Sequence, residues 1–259
     1  MGLITFMSDF GHRDPYVAAV KAGILAYNHT IPVIDISHDI EPFNIMHAAY
    51  VLKSVFRDFP KGSVHLVCVN APEASNTCSL LAVKLEEHYF VGIDTGLFSM
   101  LSDKKPTAIV EIIKDAAFSS AFPEKGALAK AAVALASGTS IYQLGIQKDT
   151  FIQKMNRQVY VTNDLIQGHV VHIDHYGNLM TNIQEDDFVK YGKGRAFKIT
   201  FGRFDHKVIN TCYGDADSGD MVVLFNSSKF LEIAINEGHA HTLLGIAVDT
   251  SVKVQFSKE

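Results

Sequence analysis

Hydrophobic and polar positions change their spacing near residue 156. Before about residue 147, short apolar runs alternate with segments whose apolar residues recur every three or four positions. This alternation predicts strands and helices in turn, and therefore helices packed on a largely parallel sheet. The predicted strands are residues 3–7, 33–36, 64–69, 80–85, 89–93 and 108–112, and the predicted helices are residues 17–27, 45–56 and 125–137.

After residue 156, short β-branched and aromatic runs are bounded by glycine and polar residues, and few helical periods occur. This pattern predicts a small, mostly antiparallel barrel or sandwich. The fold class is therefore α/β, with an N-terminal α/β domain at residues 1–155 and a C-terminal antiparallel domain at residues 156–259. The strands predicted in the second domain are residues 165–173, 179–183, 196–201, 221–225, 231–235 and 252–256.

Composition narrows the range of partners. The 259 residues are 47% hydrophobic and carry a net charge of −5, with no large basic cluster. A nucleic-acid partner is not expected, because phosphate binding needs concentrated positive charge. No apolar run reaches about 18 residues and the N-terminus opens on a strand without a leader, so we expect no membrane partner and a cytoplasmic location.

The cysteines and histidines do not predict a metal site. The three cysteines Cys68, Cys78 and Cys212 lack metal-ligand spacing and are odd in number, so we expect buried thiols rather than disulfides or zinc. The closely spaced His169, His172 and His175 would not share one face of a strand, because side chains alternate. We therefore expect no metal and no cofactor.

Two carboxylates follow the first predicted strand. Asp9 and Asp14 lie in a glycine-containing turn before the first helix, where open α/β sheets bind ligands. Carboxylates accept hydrogen bonds only, which suits the two hydroxyls of a ribose or an ammonium group. The alternative is structural: an Asx turn, with Asp14 capping a helix that starts near Pro15.

Two polar turns stand out in the second half. Asp174, Tyr176 and Asn178 would share one face if the strand continued, giving a carboxylate, a stacking ring and an amide suited to a nucleoside. A hairpin turn explains the same residues equally well. Residues 225–238 form a second strand-turn-strand unit rich in amides and hydroxyls, which suits a purine edge or a solvent-facing turn.

Taken in order, these segments resemble the S-adenosylmethionine (SAM) hydroxide adenosyltransferases, which share their fold with fluorinating and chlorinating enzymes. The similarity rests on residues 7–17 (MSDFGHRDPYV), 92–97 (GIDTGL), 174–183 (DHYGNLMTNI) and 226–238 (NSSKFLEIAINEG). It spans nearly the whole chain. It implies an α/β domain, a C-terminal β-barrel and a homotrimer whose nucleoside sites lie at subunit interfaces.

The resemblance also implies roles for individual residues. Asp9 would hold the ribose diol, and Asp14 would lie toward the methionine end. Asp174 would face the amino-acid end of the ligand. The remaining implied ligand-binding residues pack on the ligand as rings or line the adenine: Phe43, Tyr176, Tyr213, Asn178, Ser227, Ser228 and Glu237.

The chain departs from the family at the water-activating positions. Hydrolytic members use an Asp, an Arg and a His there, and the aligned residues are Asn70, Thr77 and Pro123. Glu73 and Glu124 stand at two halide-binding positions, where carboxylates would repel a halide. Either acid is a candidate replacement base, and either fits a solvated loop.

Two functions remain open. In the first, the chain is an enzyme that hydrolyses SAM to adenosine and methionine with a rebuilt catalytic set. This function requires a base near the ribose C5′. Alternatively, it binds SAM or an adenosine-type nucleoside without turnover, as a sensor or sequestering protein, which requires only the ligand-binding residues.

Overall fold

The computed structural model describes residues 2–69, 79–113, 121–155 and 157–258. The chain divides into two compact units, Met1–Asn156 and Arg157–Glu259. Among the described residues, no helix is long and apolar enough to cross a bilayer. Each unit has its own sheet and its own hydrophobic core.

The first unit is an α/β fold, as predicted. Its strands are β1 Ile4–Ser8, β2 Val33–Ser37, β3 Val64–Cys68, β4 Leu80–Leu85, β5 His88–Ile93, β6 Ala108–Ile112 and β7 Gly145–Gln147. Its helices are α1 Tyr16–Tyr27, α2 Ile45–Val55 and α3 Ala129–Ala136, and a single π-helical turn, Glu124–Leu128, precedes α3.

The sheet of the first unit is mixed. Its order is β2-β1-β3-β5-β4-β6-β7, with parallel pairs from β2 through β5 and antiparallel pairs from β5 through β7. Val20 and Ile24 of α1 pack with α3 against one face, and Leu52 of α2 packs against the other. Covering both faces explains why β1 and β3 are buried throughout.

An antiparallel hairpin makes the sheet less parallel than predicted. Glu86 and Glu87 join β4 to β5 with φ angles of 50° and 67°, the positive pair that a type I′ turn requires. Without glycine or asparagine there, the sequence carries no strong hairpin signal. Arg57 donates two hydrogen bonds to the Glu86 carboxylate, at 2.7 and 3.1 Å, and thereby holds the turn.

The second unit is an antiparallel sheet that surrounds one core in the manner of an open barrel. The strand order is β12-β11-β15-β9-β10-β14-β13, with β8 paired to β9. The strands are β8 Tyr160–Val161, β9 Leu165–Ile173, β10 Leu179–Gln184, β11 Phe197–Phe201, β12 Phe204–His206, β13 Met221–Phe225, β14 Phe230–Ile235 and β15 Ser251–Phe256, and the helices are α4 Glu185–Gly192 and α5 Ala240–Leu244.

The two short helices of this unit were not predicted. Three acids, Glu185, Asp186 and Asp187, occupy the first turn of α4, where they interact favourably with the positive end of the helix dipole. With only eight residues, α4 is too short to show a clear helical period. Tertiary packing of Phe188 against Phe197 and Phe225 therefore determines this segment.

One prediction about the thiols is wrong. Cys68 is buried as predicted, whereas Cys212 is exposed. Cys212 precedes a short 3₁₀ turn, Tyr213–Asp215, and its Sγ lies 3.4 Å from the Asp215 carboxylate. It caps this turn instead of filling a core. Cys78 lies outside the described residues.

Two neighbouring histidines, His65 and His88, are buried among aromatic rings of the first unit. His65 Nδ1 lies 2.7 Å from Thr5 Oγ1, and His65 Nε2 lies 3.0 Å from His88 Nδ1. Phe56 and Phe90 surround the pair. Burial, and secondarily the charge of His88, lowers the pKa of His65 to about 3. The folded protein therefore holds His65 neutral.

Acidification is expected to destabilise the protein through His65. Below about pH 6.5 the unfolded chain binds a proton at this residue that the folded chain does not bind. The stabilisation is thus complete above that pH, and roughly 1.4 kcal/mol is lost per pH unit on acidification. Urea unfolding of wild type and His65→Gln at pH 7.5, 6.5 and 5.5 measures the difference in slope.

A matched control for this experiment is His29→Gln, at an exposed histidine. It should retain the wild-type dependence of unfolding free energy on pH. Equal slopes for wild type and His65→Gln would contradict the prediction.

Candidate functional site

The strand order of the first unit reverses between β1 and β3, where a ligand crevice is expected at the carboxyl ends of these strands. The chain passes from β1 to β2 on one side and later enters β3 on the other. In open α/β sheets, ligands bind where the strand order reverses in this way. Asp9 follows β1 at this point, and its N–H donates to the Cys68 carbonyl over 3.3 Å.

Among the described residues, one backbone hydrogen bond holds the Asp9 carboxylate. The Phe43 N–H donates to Asp9 Oδ2 over 3.0 Å. Phe43 adopts a φ of 64°, which is unusual for a bulky residue, and its side chain is 56% exposed. A carboxylate has about four acceptor positions, so this arrangement leaves room for both hydroxyls of a diol.

A buried polar set supports the Asp9 turn from behind. Ser8 Oγ lies 2.7 Å from His38 Nδ1, and the Gly11 N–H donates to the His38 carbonyl over 2.8 Å. His38 Nε2 lies 3.2 Å from Asp35 Oδ1. These residue types match a catalytic triad, but Ser8 and His38 are fully buried and no substrate reaches them.

Three aromatic rings meet beside the turn and form what we call the aromatic triangle, Phe10, Tyr16 and Phe122. Their ring centroids lie 5.7 to 5.9 Å apart. Because aromatic faces carry negative potential, such a set favours a nearby cation. Phe122 comes from the segment just before the π-helical turn and so brings that segment to the Asp9 turn.

Glu124 begins the π-helical turn and is 8% exposed. Burial raises the pKa of its carboxyl, and the charge of Asp9 raises that pKa further. Burial also raises the pKa of the Cys68 thiol, with contributions from the charges of Glu124 and Asp9. These three groups therefore interact at the carboxyl ends of β1 and β3.

The second unit contains a cleft of about 720 Å³. Five of the predicted ligand-binding residues line it, and four further residues that the sequence did not suggest complete the lining. The predicted five are Asp174, Tyr176, Asn178, Tyr213 and Glu237, and the other four are His175, Ile235, Gly238 and His239.

A turn, not an extended strand, brings Asp174 and Asn178 together. The Asp174 N–H donates to the Asn178 carbonyl, and the Gly177 N–H donates to the Asp174 carbonyl. Asn178 donates from its backbone and from Nδ2 to the two Asp174 carboxylate oxygens, at 2.8 and 3.1 Å. The shared strand face considered for Asp174, Tyr176 and Asn178 is therefore wrong, and turn closure places them together instead.

A hydrogen-bonded chain runs beneath this cleft. Asn178 Nδ2 donates to Tyr213 Oη over 3.3 Å, and the Tyr213 hydroxyl donates to the Glu232 carboxylate. Glu232 is 3% exposed, and burial raises its pKa. Burial and the bond to Glu232 also raise the pKa of Tyr213. The cleft floor is thus a polar network with acidic groups at both ends.

The sequence did not identify His239 as a cleft residue, because its position depends on contact with the distant turn at Gly177. Its ring caps α5, with Nδ1 2.8 Å from Thr242 Oγ1 and 3.4 Å from the Thr242 backbone nitrogen. Gly177 packs directly against this ring, since a Cβ at residue 177 would lie 2.3 Å from His239 Nδ1. Only the folded chain shows this contact.

Family models match both units. Residues 4–145 match the SAM hydroxide adenosyltransferase N-terminal domain, and residues 168–253 match the C-terminal domain of the same family. The chain belongs to the SAM hydroxide adenosyltransferase family. The Asp9 turn and all nine residues that line the cleft fall within the matched segments.

Other members and related proteins cover almost the whole chain. An (R)-S-adenosyl-L-methionine hydrolase of Methanocaldococcus jannaschii is 31% identical over 95% of this chain and 93% of its own length. The Thermus thermophilus hydrolase of the same name is 27% identical, with 97% of this chain and 98% of that protein covered. A fluorinase of Actinoplanes is 22% identical over 90% of this chain and 91% of its own length.

Solved structures agree with this membership of the SAM hydroxide adenosyltransferase family. An uncharacterized conserved protein of Thermotoga maritima superposes with a TM-score of 0.90 at 29% identity, covering 98% of this chain and all of the other. A conserved hypothetical protein of Thermus thermophilus gives a TM-score of 0.77 at 27% identity, with the same coverage.

The positions that the sequence resemblance aligns with the water-activating residues are only partly described. Asn70 and Thr77 lie outside the described residues, and so does the candidate base Glu73. Pro123 is described and carries no titratable group. Its carbonyl accepts the N–H groups of Gly126 and Leu128 at the start of the π-helical turn.

The remaining predicted site residues occupy the surface. Asp14 is exposed, and it does not cap α1, whose N-cap position is Pro15 and has no side-chain cap. The structural alternative for Asp14 as a helix cap is therefore wrong. Ser227 and Ser228 lie in the turn between β13 and β14 and do not line the described cleft.

Proposed function

We propose that this protein hydrolyses SAM to adenosine and methionine. The observation that carries the proposal is the Asp9 carboxylate, held by Phe43 at the carboxyl ends of β1 and β3 in a member of this family. Its open acceptor positions suit the ribose 2′- and 3′-hydroxyls. Charge-assisted bonds of this kind contribute roughly 1.5 to 3 kcal/mol each.

The cleft of the second unit also offers groups that suit parts of a SAM molecule. SAM carries a sulfonium and an ammonium group, and the cleft offers Asp174 and Glu237, with Glu232 beneath. Because Asn178 Nδ2 donates to Asp174 and Tyr213, its Oδ1 can accept the adenine amino group. The exposed ring of Tyr176 can stack on the base.

The proposed reaction is displacement at the ribose C5′. A water oxygen attacks C5′, the C5′–S bond breaks, and its electron pair remains on sulfur as the thioether of methionine. The leaving group is neutral and needs no acid, so we propose no cofactor and no metal. The water must lose one proton, which requires a base.

We further propose that the chain forms a homotrimer with nucleoside sites at subunit interfaces, as the sequence resemblance implies. The side chains of Leu25, Tyr27 and Ile34 are exposed and apolar, and they support this proposal because they offer surface to a neighbouring subunit. Light scattering of the purified protein tests the trimer. Free thiols at Cys68 and Cys212 support a cytoplasmic location, since reducing compartments preserve them.

The test incubates purified protein with SAM in ¹⁸O-labelled water. Chromatography should show equal amounts of adenosine and methionine, and mass spectrometry should place ¹⁸O in adenosine. Methylthioadenosine, the product of spontaneous SAM breakdown, is the background to subtract. Absence of enzyme-dependent adenosine would overturn the proposal.

A second candidate function is a binder of SAM or an adenosine-type nucleoside without turnover. Pro123 favours it, because the sequence resemblance aligns this residue with a water-activating histidine, and proline has no titratable group. Calorimetry in the same preparation distinguishes the two. Saturable binding heat without adenosine release would support the binder and exclude the hydrolase.

A further inference from the structure

We propose that Glu124 is the general base that takes the proton from the attacking water. This inference rests on the proposed function and deepens it, because none of the comparisons assigns a base to this chain. It starts from placement: Glu124 is the first residue of the π-helical turn and is almost entirely buried. Single π-helical turns occur frequently at functional sites.

Packing fixes the π-helical turn against the first unit's ligand crevice. Gly23 of α1 lies so close to Lys125 that a Cβ at residue 23 would be 2.4 Å from the Lys125 carbonyl oxygen. On the other side, Phe122 packs against Phe10, the neighbour of Asp9, at 5.9 Å between ring centroids. The backbone at Glu124 is therefore held beside the Asp9 turn.

The surroundings suit a base that works near neutral pH. Removal from water disfavours the charged carboxylate, and the negative charge of Asp9 acts in the same direction. A carboxyl with a raised pKa is a stronger base than an exposed glutamate. The opposing influence is its own backbone N–H, which hydrogen-bonds the carboxylate at the start of the π-helical turn.

The other groups described in this crevice are poorer candidates. Asp9 accepts the Phe43 N–H and is assigned to the ribose diol. The Cys68 thiol is held in its protonated form, since burial raises its pKa. His38 is fully buried behind Ser8, out of reach of a substrate water.

The proton balance is complete with Glu124 in this role. As the water oxygen forms its bond to C5′ and the C5′–S electron pair moves to sulfur, the water proton passes to the Glu124 carboxylate. Glu124 then releases it to solvent. The aromatic triangle lies beside this step, where it favours the sulfonium cation of the bound substrate.

The test compares wild type with Glu124→Gln, which keeps the shape and removes the base. We expect kcat to fall by about 10²- to 10⁴-fold, while the Kd for adenosine, a neutral probe, changes less than threefold. The rising acid-side limb of the kcat/KM pH profile should disappear. Asp9 and Cys68 are the titratable groups that face Glu124 among the described residues, and both are unchanged in this variant.

Chemical rescue separates a base from a structural residue. Glu124→Ala should regain adenosine release when formate is added, because a small carboxylate can occupy the vacated space. Glu87→Gln, at an exposed glutamate in the β4–β5 turn, is the matched control and should retain wild-type kcat.

Each result has one meaning. Wild-type turnover in Glu124→Gln would overturn the base while leaving the hydrolase in place. A loss of adenosine affinity equal to the loss of kcat would also overturn it, because Glu124 would then serve binding or folding. No adenosine from the wild-type protein would overturn the hydrolase and the base together.

Discussion

Asp9→Asn is expected to weaken adenosine binding by about 10²- to 10⁴-fold. The carboxylate loses its charge but keeps an oxygen that can accept the Phe43 N–H, so the turn should retain its shape. With the amide oxygen on the Phe43 N–H, the amide Nδ2 faces the ribose, and as a donor it cannot accept the two hydroxyls. Two charge-assisted hydrogen bonds would therefore be lost, at roughly 1.5 to 3 kcal/mol each. Calorimetric titration with adenosine measures the change.

Removing the hydroxyls from the ligand tests whether Asp9 contacts them. Wild type should bind adenosine much more tightly than 2′,3′-dideoxyadenosine, whereas Asp9→Asn should bind the two with similar affinity. Such non-additivity is the sign of a direct interaction. Asp58→Asn, at an exposed acid, is the control and should bind as wild type does. A preference for adenosine that survives in Asp9→Asn would disprove the contact.

The sequence predicts the structure well where polar side chains stand next to a clear local pattern of strand, turn or helix. The turn that carries Asp9 could be predicted because a buried strand, a glycine turn and a helix follow one another within residues 4–27. The turn at Asp174 and Asn178 could be predicted as a polar loop for the same reason. The α/β class and the antiparallel second unit follow from the change in hydrophobic period and are confirmed.

Features that depend on distant contacts could not be predicted. Glu232 looks like an ordinary residue of an apolar strand, yet its carboxylate accepts the Tyr213 hydroxyl from 19 residues away. His38 supports the Asp9 turn through Ser8, 30 positions earlier. Glu124 is buried in the π-helical turn that α1 packs against, and no local pattern distinguishes it from a solvated loop acid.

Gly177→Ala is expected to disrupt the cleft of the second unit. Gly177 has a φ of +82°, where an L-residue is strained by roughly 1 to 2 kcal/mol. The new Cβ would also lie within 2.3 to 2.4 Å of three His239 ring atoms. The ring must move, and its cap on α5 is then lost, at a cost of about 1 kcal/mol.

Gly194→Ala isolates the contribution of His239. Gly194 lies in the same unit with a φ of +75°, and a Cβ there would meet nothing within 4 Å. Both variants therefore carry the same kind of backbone strain, but only Gly177→Ala displaces the ring. Urea unfolding should show Gly177→Ala to be the less stable by at least about 1 kcal/mol, and only its adenosine affinity should fall more than tenfold.

His239→Ala completes the comparison, because it removes the ring that the new Cβ would meet. The unfolding free energy lost on changing Gly177 to alanine should then shrink to the value measured for Gly194→Ala. This outcome requires direct packing between residues 177 and 239, since distant substitutions would add independently. Strict additivity of Gly177→Ala and His239→Ala would show that backbone strain alone explains the loss, and that the ring does not depend on a glycine at this turn.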